Sequence, residues 1–361
     1  MTIHNLLPKK SAWGSTACLL AFLTNSAVAA PVIQQVSGTL NQNSTVTISG
    51  SGFGSKATAA PLRWDDFEAG AVGQALTGWD IGSTNADSLP KYVNKSRLGT
   101  TGSKSAHQHF APGQYNSDIG IYGYSSRKFY VSGWVSGSTV GSPSRNVKLV
   151  GFRGGPPGDW ELPNGRLDQW PDNGGGSKYV TDCDGSVMAQ DWDVSGLIIA
   201  DGKWHRFETW IDLGTPNGNN GVYSTWKDAV EWGKTLKGTF IKSSGCTFTN
   251  VHIQAFYSTD TGTNQGADYY WDELYVDTTR ARVELGNAPT WAACTHREIQ
   301  VPSAWSTNSI AFKVNKGIFS TGQQAYLFIV DENGNPSSGY PITIGGGAVS
   351  FSAPTNLRVT N

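Results

Sequence analysis

Histidine, glutamine, tyrosine and arginine recur on short alternating stretches of this chain. Residues 251–258, VHIQAFYS, carry His252 and Gln254 two apart, hence on one face of a strand, with Tyr257 just beyond. Residues 103–110, SKSAHQHF, place His107 and His109 on one face in the same way, and Arg153 closes the stretch NVKLVGFR. These are the types needed to take a proton from a carbon beside a carboxylate. Arg, Gln, Asn or His neutralises the carboxylate, His or Tyr serves as base, and Tyr protonates the leaving oxygen.

A second set of residues is suited to holding a ligand. Residues 154–193, GGPPGDWELPNGRLDQWPDNGGGSKYVTDCDGSVMAQDWD, are the least strand-like part of the chain. Segments this long without regular structure are usually functional or disordered, and Trp160, Trp170, Tyr179 and Trp192 are costly to leave in solvent. Flat aromatic faces suit the C–H side of a sugar ring, and Asn164 and Asp168 offer short polar groups for its hydroxyls. Oxygen donors gather in TDCDGS, where Asp182 and Asp184 are candidate calcium ligands, although the spacing is not that of an EF-hand and DCDG also reads as a tight turn. Asp65 and Asp272 form another candidate calcium pair if the strands bearing them are neighbours. The acids four apart in ETWID (Glu208, Asp212) and ELYVD (Glu273, Asp277) read as edge decoration. No GxSxG elbow and no CxxC or HxxxH spacing is present.

These residues need elements to position them, and the pattern is all-β. Gly accounts for 44 of 361 residues and charged residues for 15%, against a usual ~25%. No long stretch has a helical period; 225–236, TWKDAVEWGKTL, reads as a short strand and turn. Residues 201–226, DGKWHRFETWIDLGTPNGNNGVYSTW, form a hairpin with Trp204, Phe207, Thr209 and Ile211 facing inward. RWDDFEAG from Arg63 and DYYWDELYVD ending at Asp277 are its partners. Together these motifs resemble concanavalin A-like jelly rolls, the group that holds laminin-G-type lectins, glycan-binding modules and several polysaccharide lyases. The resemblance implies a sugar-chain ligand and a structural calcium. VHIQ is similar to the Gln-x-His strand of jelly-roll alginate lyases with the order reversed, while that family's Arg-rich and Lys-x-Gly-x-Tyr-x-Gln strands are not matched.

The leading functional expectation is an exported glycan-binding protein. One alternative is a lyase cleaving a uronate polymer through His252, Gln254, Tyr257, His107, His109 and Arg153. Another is a structural or adhesive subunit meeting surface or matrix proteins. The carboxylate arrangement of a jelly-roll glycosidase, Glu-x-Asp-x-x-Glu, is absent.

Residues 1–29 read as a secretory signal, with Lys9 and Lys10, the apolar run ACLLAFL and an Ala-Val-Ala cleavage pattern. The expected location is therefore extracellular, cell-surface or periplasmic, without membrane insertion. A net charge of −1 offers no footprint for nucleic acid. Of the three cysteines beyond the signal, Cys183 and Cys246 are the expected disulfide because both fall in the jelly-roll span, with connectivity left open by sequence. No organic cofactor is expected. Residues 31–60 and 288–346 resemble the two halves of an IPT/TIG immunoglobulin-like module. The expected architecture is thus a jelly roll, 62–285, inserted into or flanked by that module, with a linker and tail at 347–361.

Overall fold

The computed structural model describes residues 30–81, 86–100, 102–110, 117–139, 145–154, 162–170, 175–192, 201–259 and 267–346. The expected signal (1–29), the tail (347–361) and Trp160 lie outside the described residues, as do the side chains of Asp168, Trp170, Gln254 and Tyr257.

Alternating apolar residues produce strands, and two sheets bury their apolar faces against each other as a jelly-roll sandwich. The larger, nine-stranded sheet runs Val230–Glu231, Gly221–Lys227, His205–Asp212, Lys128–Thr139, Ala267–Asp277, Ser105–Phe110 and Lys91–Val93; Leu236–Gly238 and Arg63–Asp65 pair alongside. The six-stranded sheet runs Val187–Asp191, Gly175–Thr181, Asn164–Trp170, Arg145–Arg153, Asn250–Thr259 and Asp118–Ile121. Phe129, Val131, Phe207, Ile211, Tyr269 and Trp271 from the first meet Val150, Phe152, Leu167, Val180, Val251 and Ile253 from the second in one core. Each such side chain contributes about 1.5–3 kcal/mol when fully buried. A bulge between Asp272 and Tyr275, with Glu273 at φ 50°, inserts one residue, so Leu274 and Val276 return to the core while Glu273 does not.

Within 225–236 the chain makes strand, turn and strand. Lys227 pairs with Val230 across Asp228 and Ala229, both at positive φ (49° and 68°), the conformation of a type I′ hairpin.

A seven-stranded sheet lies outside the sandwich. Val32–Ser37 and Thr45–Ser51 pair with each other, and Thr45–Ser51 pairs with Ser309–Lys313; Arg297–Trp305, Arg282–Gly286, Gln324–Val330 and Tyr340–Thr343 complete it. It has its own core, including Val46, Ile48, Phe312, Leu327 and Ile329.

This sheet covers the outer face of the larger jelly-roll sheet. Tyr130, Trp210 and Tyr275 pack on Ile299, and a buried charge network surrounds them. Arg206 donates to Glu284 at 2.8 Å, Arg297 to Glu208 at 3.2 Å, and the Tyr130 hydroxyl to Glu208 at 2.7 Å. Arg97 pairs with Glu273 and Glu298, and Lys56 with Asp277 at 2.7 Å. Three of the acids read as edge decoration are therefore buried. Glu208, Glu273 and Asp277 sit beneath the seven-stranded sheet; Glu208 faces Arg282 and Arg297 of that sheet and Asp277 pairs with Lys56, whereas burial and the neighbouring Glu298 push the Glu273 carboxyl up to about 8 beside Arg97. Burial alone would favour neutral Glu208, but Arg206, Arg297 and Arg282 hold its carboxyl well below the usual range. Asp212 remains at the surface beside Lys128.

Candidate functional site

The seven-stranded sheet covers one face of the sandwich and leaves the outer face of the six-stranded sheet uncovered by it. Alternation decides what it carries. Val251 and Ile253 point into the core, so His252 points outward; Leu167 points in, so Arg166 points out; Val180 points in, so Tyr179 points out. The strand register then sets these residues in one row. His252 pairs with Gly151, Gly151 with Arg166, and Arg166 with Tyr179, while Gly120 flanks His252 on the other side. Gly151 contributes no side chain, which leaves a slot between His252 and Arg166 two strand spacings wide, about 9.6 Å.

His252 is held by a carboxylate. Its Nδ1 lies 2.6 Å from Asp118 Oδ2, which also accepts the Tyr122 hydroxyl at 2.9 Å. A ring that donates through Nδ1–H presents a bare Nε2, and that nitrogen has no hydrogen-bond partner among the described residues. The imidazole is buried, with the Tyr122 ring leaning over it at a centroid distance of 5.1 Å. Arg153 lies in the next row of this face, paired with Asn250 and Asn164. Gln254 follows His252 by two residues, opposite Asp118, and Tyr257 is opposite Val147.

The far end of the face is aromatic. The Arg166 guanidinium lies 4.8 Å from the Tyr179 ring centroid, and Tyr179 stacks on Trp192 at 6.5 Å. Trp192 is 54% exposed. Of the residues expected to hold a ligand, Tyr179 and Trp192 are brought together; Asn164 is buried, one row from Arg166.

His107 and His109 lie elsewhere. Ala106 and Phe110 of their strand enter the core from the nine-stranded sheet, so the two histidines project from the opposite side of the sandwich to His252. One active site cannot contain all three. Both donate to Asp268 Oδ1, at 2.7 and 2.8 Å. The side-chain hydrogen bond from His107, with His109 adding to it against burial, holds the Asp268 carboxyl down at about 2.

The residues of the two expected calcium sets have other partners among the described residues. Asp65 accepts the Phe67 amide at 2.7 Å and the Trp79 indole at 2.8 Å. Asp272 caps the Glu273 amide at 2.8 Å and faces the Arg97 guanidinium, so the oxygens of the two residues are committed to separate partners. Asp182 accepts the Cys183 amide and Asp184 the Ser186 amide, with Lys242 beside both carboxylates. DCDG is thus a turn, with Gly185 at φ 85° and a cation already next to its acids. Cys183 and Cys246 are disulfide-bonded, which ties this turn to the segment before Asn250–Thr259; Cys294 is free and buried.

Three residues of this face were not singled out from sequence. Asp118 and Tyr122 occur in DIGIY and Arg166 in NGRLDQW, and only their outward positions beside His252 give them meaning. Parity along each strand was available in the sequence; the partnering of strands was not.

No protein-family model matches the chain. No curated protein matches it either. Among solved structures, an endo-β-1,4-glucuronan lyase from the fungus Trichoderma reesei aligns over 61% of this chain and 96% of its own, at 16% identity and TM-score 0.45. The alginate lyase Aly36B aligns over 62% and 98%, at 12% identity and TM-score 0.44. A marine PL-14 alginate lyase from Aplysia kurodai aligns over 53% and 87%, at 13% identity and TM-score 0.41.

Proposed function

We propose that this chain is a polysaccharide lyase that cleaves a uronate polymer lying across the six-stranded sheet. The observation that carries the proposal is the Asp118–His252 pair, which fixes the imidazole through Nδ1 and leaves Nε2 unpartnered among the described residues, in the same row as an outward arginine. Elimination requires little more than this. Arg166, with Arg153 one row away, neutralises the uronate carboxylate and so acidifies the neighbouring C–H. His252 Nε2 takes that proton, the electron pair forms the carbon–carbon double bond, and the bond to the leaving glycosidic oxygen breaks. A proton must then reach that oxygen, and solvent water supplies it, because the register sets Tyr257 opposite Val147, and Val147 opposite Gln169, out of phase with the outward row. Asp118 stabilises the imidazolium as it forms. The polymer must displace what covers Nε2, and Tyr122 is the described neighbour in its way.

The Tyr179–Trp192 pair supports a second reading, in which the face binds a glycan without cutting it. One experiment separates them. The purified mature protein is incubated with glucuronan, alginate and neutral polysaccharides, while ultraviolet absorbance of an unsaturated product and retention on insoluble glycan are followed. Absorbance that rises with wild type and not with His252→Ala supports the lyase. Retention without product, lost on Trp192→Ala, replaces the lyase with a binding module.

A further inference from the structure

On the opposite side of the sandwich, His107 Nε2, His109 Nδ1 and an Asp268 oxygen lie within 4.8 Å of one another. We infer that this cluster is a binding site for a divalent transition-metal ion of the zinc type. The inference does not depend on the proposed lyase reading, because none of the three residues lies on the six-stranded sheet.

The strand geometry makes the site. His107 and His109 are two apart and project side by side, and Asp268 is the register partner of His109 on the adjacent strand. The three donors therefore come from two hydrogen-bonded strands toward one edge of the nine-stranded sheet, which hold them without a long loop. Among the described residues there is one other convergence of three such atoms, around Asp182, and both of its sulfurs are used in the Cys183–Cys246 disulfide.

The donor set selects the ion. Two imidazole nitrogens and one carboxylate oxygen suit zinc and its neighbours in the first row, whereas calcium takes six to eight oxygens. Zinc bonds of about 2.0–2.2 Å in a tetrahedron set ligand atoms roughly 3.3 Å apart. The nitrogens are now 2.7 and 2.8 Å from the shared oxygen, so each contact must open by about half an ångström, within the reach of small side-chain rotations. The His107 ring is already fixed, stacked on Tyr270 at 4.6 Å and 8°. The three side chains are partly exposed, so an ion can arrive from solvent and keep one position for water or an anionic oxygen.

One neighbour opposes binding. Lys95 Nζ lies 3.5 Å from the Tyr270 ring centroid and interacts electrostatically with Asp268. A bound dication would meet its charge, so removing that charge should tighten the site.

The test uses untagged, chelator-treated protein titrated calorimetrically with Zn²⁺, together with the visible spectrum after adding Co²⁺. The expected result is one equivalent of Zn²⁺ bound and a Co²⁺ spectrum of low, tetrahedral-like symmetry. His107→Ala and His109→Ala should each weaken Zn²⁺ at least about tenfold, the scale set by losses around known sites. Lys95→Ala should bind more tightly than wild type. His109 is the most exposed of the three, so its variant should fold, and a thermal melt of the metal-free protein checks this. Absence of Zn²⁺ binding, or binding that survives in the His107→Ala/His109→Ala double variant, overturns the assignment.

Discussion

Replacing Asp118 by Asn tests the proposed chemistry at its most specific point. The change keeps shape and removes charge. Asp118 Oδ2 accepts from His252 Nδ1 at 2.6 Å and from the Tyr122 hydroxyl at 2.9 Å, so the carboxylate both fixes the tautomer and faces the imidazolium formed on proton transfer. With the charge centres about 4 Å apart and an effective dielectric of about 20, the ion pair is worth about 4 kcal/mol in the transition state. At 1.36 kcal/mol per decade, that is about a thousandfold in rate. The amide can also turn its NH₂ toward Nδ1, which would leave the proton on Nε2 and disable the base altogether. The expected outcome is therefore a fall in kcat of about 10³-fold, with KM changed by a small factor, because the uronate carboxylate is held by Arg166 and not by Asp118. Initial rates of unsaturated-product formation measure both. Tyr122→Phe is the companion variant. It removes one hydrogen bond to the same oxygen and leaves the charge, so its effect on kcat should be at most about 10- to 150-fold, short of that of Asp118→Asn, one charge-assisted bond being worth about 1.5–3 kcal/mol. An Asp118→Asn enzyme that retains kcat within about threefold of wild type would refute the assignment of His252 as base.

Other expectations follow from the scaffold. Lys178 is buried between the sheets, where its ammonium donates to Thr225 Oγ1 and the Trp232 carbonyl at 3.2 Å each; burial lowers its pKa to about 8. The unfolded chain holds that proton up to an ordinary ~10.4, so the unfolded state binds more protons between the two values and stability should rise with pH across that window. The relief amounts to about 3 kcal/mol, and denaturant titrations of wild type and Lys178→Met should show this contribution in wild type alone. Ala229, at φ 68° in the hairpin turn, carries left-handed strain of about 1–2 kcal/mol; Ala229→Gly should stabilise by about 0.5–1 kcal/mol after the entropy of glycine is subtracted, read as a higher urea midpoint. The Cys183–Cys246 bridge spans 63 residues, so loop-closure entropy gives it up to about 4 kcal/mol, and Cys183→Ser/Cys246→Ser should lower the melting temperature accordingly.

What could be read from the sequence was whatever depends on parity along a strand. The inward set Phe207, Thr209 and Ile211 and the shared face of His107 with His109 follow from a period of two, and the strand-turn-strand character of 225–236 follows from its lack of a helical period; Trp204, three residues before Phe207, is out of that phase and lies outside the core against Lys95. What could not be read depends on which surfaces meet. Glu208 and Asp277 alternate with apolar residues just as surface acids do, and only the arrival of Arg297 and Lys56 from distant parts of the chain turns them into buried partners. The same limit hid the separation of the histidines. His252 and His107 look equivalent as strand residues, and the sheet order alone sends them to opposite sides of the sandwich. Asp118 and Arg166 carried no motif at all.

The buried network also bears on why the proposed site lies where it does. A jelly roll offers two outer faces, and here the nine-stranded one is occupied. Covering it meant desolvating Glu208, Glu284, Arg206, Arg282 and Arg297, a cost that their mutual attraction roughly offsets and that apolar residues would have avoided. Such a network is weak evidence for stability but does constrain orientation, because each guanidinium must find its carboxylate in one register. An apolar patch would tolerate several dockings of the seven-stranded sheet; this arrangement of fixed pairs tolerates one. The docked position leaves the His252–Gly151–Arg166–Tyr179 row uncovered by that sheet. A polymer that must lie across several strands to reach both a base and an arginine needs an unobstructed face of that length. Charge pairing on one side of the sandwich thereby leaves the other side uncovered by the seven-stranded sheet, where Tyr122 over His252 is the described obstacle the proposed substrate would displace.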